Sequence, residues 1–239
     1  MAGSSQKDRN KVDVSVQHEC PLNLLPREIW SSIATMIASN SIEDLFNMKA
    51  TCKVFLGVAS SDPVYKHATM SYKPLARFLL HLDGPERRFL DRCVEVGNVD
   101  AILRHGFTEY LWFGHCIGGM DTLTMAATGG DLEACYMCEM LLLSHTKEDE
   151  EHLRKGLEFF EIVRDSGALK RCREVFRQVF AGPWVEVNSL DPGLPEVCRS
   201  TSCRTRGTMG DVEESSRVSC VQCLADYEVR VFRELFAFE

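Results

Sequence analysis

The stretch that decides the fold is AATGGDLEACYMCEMLL, residues 126–142. It joins a small-residue segment to a long apolar one through two glycines. A glycine can end a helix in the left-handed backbone conformation because it has no Cβ. Small side chains at Ala126, Ala127 and Ala134 allow two neighbouring helices to approach closely. We therefore predict a helical hairpin that turns at Gly130.

The same pattern occurs three times in the middle of the chain. The segments GNVDAI, GDLEAC and GALKRC begin at Gly97, Gly130 and Gly167, which gives offsets of 33 and 37 residues. Repeats of this length, each a helical hairpin, stack into an array with a concave face. We assign residues 75–181 to this array. An irregular helical bundle is the alternative that the pattern leaves open.

The repeat spacing resembles that of tetratricopeptide and Sel1-like repeats. Residues 126–142 look most like the Sel1-like version, AAxxGxxEAxYxxGxxL, although Glu139 replaces a glycine of that pattern and the other two copies match less well. No segment shows the sustained alternation of apolar and polar residues that predicts a strand. The predicted fold class is mainly α, with a tetratricopeptide/Sel1-like helical-repeat array as its largest part.

A smaller helical unit of three helices is predicted before the array, at residues 21–70. In NLLPREIW (residues 23–30), Pro26 suits the first turn of a helix because it has no N–H to lose and its φ is fixed. Ser41, with Asp44 three residues later, predicts the start of a second helix. Helices shorter than about 15 residues need packing partners. The unit is therefore either the start of a larger helical domain or a module that completes its core against another protein.

Residues 24–68 resemble the F-box. That family's pattern is Leu-Pro before an apolar helix, then Asp-Leu, then Cys-Lys-x-Phe or Cys-Lys-x-Trp, and this chain has each of these in order. The resemblance implies a three-helix F-box that docks onto a Skp-type adaptor, which connects it to a cullin. It also implies that eight residues form either the adaptor contact or the local core: Leu25, Pro26, Ile29, Ile33, Ile37, Leu45, Cys52 and Phe55.

An F-box followed by degenerate repeats resembles a plant family of short F-box proteins. The resemblance implies a non-catalytic substrate receptor of a Skp–cullin–F-box ubiquitin ligase, whose repeats read an unknown target protein. The alternative is a helical-repeat scaffold without a ubiquitin-ligase role, in which the F-box-like start only caps the array. No catalytic residue is predicted, because the chain has neither a phosphate-binding Gly-Lys-Ser/Thr loop nor a nucleophile elbow.

Residues 182–239 are predicted to be a linker and a Cys-rich tail that ends in a helix over ADYEVRVFRELF. Four residues lie between Cys198 and Cys203, two lie between Cys220 and Cys223, and sixteen lie between the two pairs. Two close pairs of thiolates can form a tetrahedral zinc site. We predict structural zinc there, although no cofactor is required, with a loop of metal-free thiols as the alternative. A zinc-dependent enzyme would also need an open coordination position and a nearby general base, and no such His/Glu constellation is visible in the tail. The remaining cysteines are predicted to be small core residues.

Charge and hydropathy exclude several classes of partner. The formal net charge is −8, from 27 basic and 35 acidic residues, and no stretch is strongly basic, so nucleic acid is not expected. The locally basic segment at residues 153–177 is interpreted as a solvated helix face. Residues 1–20 are polar and are predicted to be a disordered leader, and the apolar runs are too short for a membrane span. We therefore expect a soluble intracellular protein, in the cytoplasm, the nucleus or both.

Overall fold

The computed structural model describes residues 25–71, 75, 84–145, 149–180, 203 and 220–236, and their regular structure is entirely helical. The helices of these residues are α1 (Arg27–Asn40), α2 (Ile42–Thr51), α3 (Lys53–Val58), α4 (Asp62–Lys66), α5 (Gly84–Glu95), α6 (Val99–Leu111), α7 (Cys116–Thr128), α8 (Leu132–His145), α9 (Glu150–Asp165), α10 (Leu169–Phe180) and α11 (Val221–Phe236). The mainly α fold class is confirmed. The predicted leader at residues 1–20 and most of the predicted linker lie outside the described residues.

The N-terminal unit holds four helices where three were predicted. The additional helix, α4, begins at Asp62-Pro63, because proline fits the first turn of a helix. Pro26 itself lies immediately before α1, and its carbonyl accepts hydrogen bonds from the N–H groups of Ile29 and Trp30. The predicted cap of α2 is confirmed, since the Ser41 hydroxyl accepts a hydrogen bond of 3.1 Å from the Asp44 N–H.

The core of the N-terminal unit continues into the first helices of the array. Buried residues of α1, α2 and α4, among them Leu45 and Val64, form one apolar cluster with Phe89, Leu90 and Cys93 of α5. Burial raises the pKa of the Cys93 thiol to about 12, so this cysteine stays protonated in the core. The N-terminal helices therefore bury their apolar faces within this chain, against α5.

The three predicted turns share one geometry. Gly97, Gly130 and Gly167 have φ of +81°, +96° and +71°, the left-handed region that only glycine adopts easily. In each turn the glycine N–H binds the carbonyl three residues back, and the next N–H binds the carbonyl five residues back. This is the Schellman motif that ends helices. The hairpins α5–α6, α7–α8 and α9–α10 are therefore the predicted repeats.

Helix α8 lies at the centre of the array and packs against α7, α9, α10 and α11. Residues 134–142 are all buried, which explains why the sequence of α8 is apolar on every side. Glu139 is the one charged residue among them, and it is fully buried. Neither of its carboxyl oxygens has a hydrogen-bond partner in the described part of the chain. Burial, and secondly the nearby Glu228, raise the pKa of Glu139 well above its usual range, which favours the neutral form of the acid.

Helices α6 and α7 cross at two glycines. A Cβ on Gly106 of α6 would lie 2.9 Å from the Leu123 nitrogen, and a Cβ on Gly119 of α7 would lie 2.6 Å from the Tyr110 nitrogen. The Gly-rich stretch GHCIGGM (residues 114–120) lies mostly within α7, which begins at Cys116, and its Gly119 supplies one side of the close crossing.

The predicted terminal helix is present as α11, and it packs on the array. Val229 and Phe232 of α11 belong to the same apolar core as α8. Arg173 of α10 pairs with the buried Glu228 of α11, and the Arg233 guanidinium donates a hydrogen bond to the carbonyl of Ser144 in α8. Helix α11 therefore closes one side of the repeat array through both apolar and charged contacts.

Candidate functional site

The inner side of α1 is fixed by small and aromatic residues. Ala34 and Ala38 are fully buried, and the partly buried Trp30 and Ile37 pack on the same core. The Trp30 ring meets the Phe55 ring of α3 edge-on at 4.8 Å between centroids. These contacts orient α1 and leave its opposite side open.

The outer side of α1 carries large apolar side chains in solvent. Ile29 is 47% exposed and Met36 is 59% exposed, and the half-buried Ile33 lies between them on the helix. The spacings of four and three residues place the three side chains on one face. Leu25, 44% exposed, lies just before the helix, so this docking face consists of Leu25, Ile29, Ile33 and Met36.

The eight residues singled out by the F-box resemblance divide between this face and the core. Leu25, Pro26 and Ile29 are exposed, while Ile33, Ile37, Cys52 and Phe55 are half-buried, and Leu45 is fully buried. Which of these side chains contact an adaptor stays a prediction. Met36 was not among the eight, although its place in the apolar stripe of α1 was visible in the sequence. Its exposure makes it a further member of the docking face.

A caged lysine joins α2, α4 and α5, and no motif in the sequence predicts it. The Lys49 ammonium lies 4.6 Å from the ring centre of Tyr65, 5.4 Å from that of Phe46 and 5.5 Å from that of Phe89. It also donates a hydrogen bond of 3.2 Å to the Tyr65 hydroxyl. Cation–π contacts of this kind stabilise the packing of three helices around one charge. The cage holds the N-terminal unit against the array.

Asn98 makes the second connection between the N-terminal unit and the array. Its side chain is buried, and its amide nitrogen donates hydrogen bonds of 2.9 Å and 2.8 Å to the carbonyls of Tyr65 and Ala68. Its oxygen accepts a bond of 3.0 Å from the Ala101 N–H and so caps α6. One carboxamide therefore ends the first repeat turn and binds the end of the N-terminal unit.

Four large apolar residues are exposed after α6 and along α7. Trp112 is 37% exposed and Phe113 is 47% exposed, and Ile117 and Met125 of α7 are 83% and 61% exposed. We name these four residues the array patch. Exposed apolar surface is a common feature of sites that bind another protein.

Three of the four predicted zinc ligands come together. The Sγ atoms of Cys203, Cys220 and Cys223 all lie within 4.8 Å of one another, and those of Cys203 and Cys223 are 3.3 Å apart. The fourth, Cys198, lies outside the described residues. Whether the cluster binds zinc stays a prediction.

Most of the remaining described cysteines are buried, as predicted. They are Cys93, Cys135, Cys138 and Cys172. The Cys135 thiol lies 3.5 Å from the Ala127 carbonyl, as expected of a small core residue. Cys116 is exposed, so its prediction as a core residue is wrong. It is the first residue of α7 and directly precedes Ile117 of the array patch.

The locally basic segment at residues 153–177 is balanced by acids. All five of its arginines form ion pairs with aspartate or glutamate, among them Arg164 with Asp165 at 2.8 Å and Arg171 with Glu133 at 3.1 Å. Their charges are neutralised locally, which fits the interpretation as a solvated helix face.

Every helix within the described ranges is either too short or too polar to span a lipid bilayer.

The chain is similar to known plant proteins. Residues 72–181 match the family described as plant tetratrico peptide repeats. F-box protein At2g35280 of Arabidopsis thaliana is 30% identical over 148 residues, which cover 60% of this chain and 83% of that protein. A second Arabidopsis thaliana protein, At1g67623, carries a provisional F-box name and is 23% identical over 77% of this chain and 62% of its own length. No solved structure matches the chain.

Proposed function

Because the chain belongs to the plant F-box protein family, we propose that it is a substrate receptor of a Skp–cullin–F-box ubiquitin ligase. In this function the N-terminal unit binds a Skp-type adaptor, and the adaptor connects the chain to a cullin. The repeats bind a target protein for ubiquitination and degradation. The chain performs no chemistry itself, since its partners carry the catalytic groups.

The docking face is the observation that carries this proposal. A helix that places Ile29, Ile33 and Met36 on one solvent-facing side offers the kind of anchor that an apolar groove on a partner receives. Leu25 extends the face beyond the helix, and the exposed Pro26 beside it fixes the direction in which the chain enters α1. Leu45 is fully buried, so an adaptor cannot reach it, and its role in this proposal is to stabilise the fold of the N-terminal unit.

The array patch is the part of the repeats best suited to the target. Its four side chains are exposed: Trp112 and Phe113 directly follow α6, and Ile117 and Met125 belong to α7, which packs closely on α6 at Gly106 and Gly119. Exposed aromatic residues such as Trp112 are frequent anchors of protein interfaces. The target itself is unidentified, and pull-down of the full chain followed by mass spectrometry would name it together with the adaptor.

A matched pair of substitutions tests adaptor docking. Ile29→Asp places a charge in the docking face, whereas Ile162→Asp does the same on α9 at nearly equal exposure, 49% against 47%. Loss of a central anchor costs about 2 kcal/mol or more, so we expect Ile29→Asp to weaken adaptor binding about 30-fold. Ile162→Asp should bind the adaptor like the wild type in titration calorimetry. Equal affinities for the two variants would contradict the proposed docking face.

The alternative function is a repeat scaffold in which the N-terminal unit only caps the array. The core shared by α1, α2, α4 and α5 is the observation that favours it, because these helices are already packed within the chain. If residues 75–181 fold alone, the capping version fails. If the wild-type chain binds no Skp-type adaptor, the receptor function fails and the scaffold remains.

A further inference from the structure

We propose that Cys203, Cys220 and Cys223 bind one zinc ion, which fixes the start of α11 and thereby the side of the repeat array that α11 closes. The site is separate from the docking face and from the array patch. It gives the C-terminal tail a structural function that adaptor and target binding do not require.

The sulfur positions suit a zinc ion. A tetrahedral site with metal–sulfur bonds of about 2.3 Å places its sulfur atoms about 3.8 Å apart. The three Sγ atoms all lie within 4.8 Å of one another, with 3.3 Å between Cys203 and Cys223. Small side-chain rotations would bring the set to the required spacing. The 3.3 Å distance is well above the length of a disulfide bond, about 2.05 Å.

The surroundings of the three sulfurs are those of a structural site. Cys203 and Cys223 are buried with Tyr227 in a small apolar cluster of their own, apart from the main core. Cys220 precedes α11, and Cys223 is in its first turn, so one ion would bridge the start of this helix and a residue 17 positions earlier. Such a small cluster buries little apolar surface, and a metal ion compensates for a core of this size.

The proposed ion also affects the array. Helix α11 contributes Val229 and Phe232 to the core around α8, and its Glu228 pairs with Arg173. Fixing the start of α11 lowers the entropy that the helix loses when it docks. Removing the metal should therefore loosen α11 and expose part of α8, while the docking face stays folded.

Metal content is the direct test. The full chain, purified under reducing conditions and dialysed without chelator, should contain one zinc per chain by mass spectrometry of the elements. Cys220→Ser should lower the zinc content at least tenfold. Cys116→Ser, at an exposed cysteine outside the cluster, should leave it unchanged. Equal zinc contents in the two variants, or a metal-free wild type after reconstitution with zinc chloride, would overturn the proposal.

A second measurement needs no variant and so cannot be confused with misfolding. Cobalt(II) added to the zinc-free wild type should give the charge-transfer absorption of cobalt–thiolate bonds and the visible bands of a tetrahedral ion. Hydrogen exchange in α11 should slow on zinc addition, while exchange in α1 stays the same. The site would be refuted by an absence of cobalt–thiolate absorption. It would also be refuted by a Cys203–Cys223 disulfide that persists when the protein is purified under reducing conditions.

Discussion

Gly118 and Gly119 are adjacent in α7, yet alanine should have opposite effects at the two positions. A Cβ on Gly118 would meet nothing within 4 Å, whereas a Cβ on Gly119 would lie 2.6 Å from the backbone nitrogen of Tyr110 in α6. Ordinary contacts of a Cβ begin near 3.4 Å, so the two helices would have to separate by the difference, 0.8 Å. Backbone atoms cannot rotate away as a flexible side chain can.

The expected magnitudes follow from these distances. Alanine in place of glycine stabilises an open helical position by about 0.5–1 kcal/mol. Gly118→Ala should therefore raise the free energy of unfolding by about that amount. Overpacking costs up to about 3 kcal/mol, so Gly119→Ala should lower it by about 2 kcal/mol after the gain in helix propensity. At this chain length the melting temperature of Gly119→Ala should fall by about 4–8 °C.

Urea and thermal unfolding, followed by circular dichroism of the helical signal, measure both variants against the wild type. Gly118→Ala is the matched control, because it adds the same methyl group one residue earlier in the same helix. The close crossing of α6 and α7 would be refuted if Gly119→Ala were as stable as Gly118→Ala. Adaptor binding by both variants should remain unchanged, since the crossing is remote in sequence from the docking face.

Two further substitutions test the first two repeat turns. Asn98→Ala removes three hydrogen bonds, two of them buried, and takes the Asn98 partner from the Ala68 carbonyl and the Ala101 N–H, so it should cost about 3 kcal/mol in urea unfolding. Ser41→Ala, which removes one cap bond of similar length, should cost about 1 kcal/mol, and equal losses would contradict the interpretation. Burial raises the pKa of Asp131 to about 6, from an unfolded value of 3.8, so the folded state binds this proton more tightly than the unfolded state does. The free energy of unfolding of the wild type should therefore fall as the pH rises from about 4 to 6. Asp131→Asn keeps an oxygen that accepts a hydrogen bond from the Ala134 N–H, but its side chain does not titrate. The melting temperature of this variant, relative to that of the wild type, should therefore rise between about pH 4 and pH 6. A constant difference in melting temperature would show that Asp131 does not titrate in this pH range.

Local backbone chemistry made the repeat turns predictable from the sequence. Gly97, Gly130 and Gly167 each require a positive φ, and that requirement depends only on neighbouring residues. The cap at Ser41 was predictable for the same reason, because its bond closes within three residues. The start of α7 was not predictable from the sequence, since an isolated pair of glycines such as Gly118-Gly119 favours a turn unless another helix packs against it.

The face of α1 could not be derived from periodicity. Ile29 and Trp30 are neighbours, and so are Met36 and Ile37, yet in each pair the first residue is exposed and the second packs on the core. An apolar stripe wider than one contact can face in two directions, and only the positions of α3 and α5 decide between them. Glu139 is similar: the sequence marked it as a departure from the repeat pattern, but its burial depends on the packing of α11.

The connection between the two helical units has a consequence for the proposed function. A receptor must hold its target at a suitable place relative to the enzyme that the adaptor recruits, and a flexible connection would lower the effective concentration of the target there. In this chain the connection is made by packing rather than by a linker alone. Phe89 shares the core of the N-terminal helices, Lys49 is caged between α2, α4 and α5, and Asn98 binds two carbonyls at the end of the unit. Asn98→Ala should therefore reduce ubiquitination of a bound target more than it reduces binding of either the adaptor or the target alone, and equal losses in all three assays would show that the connection serves stability only.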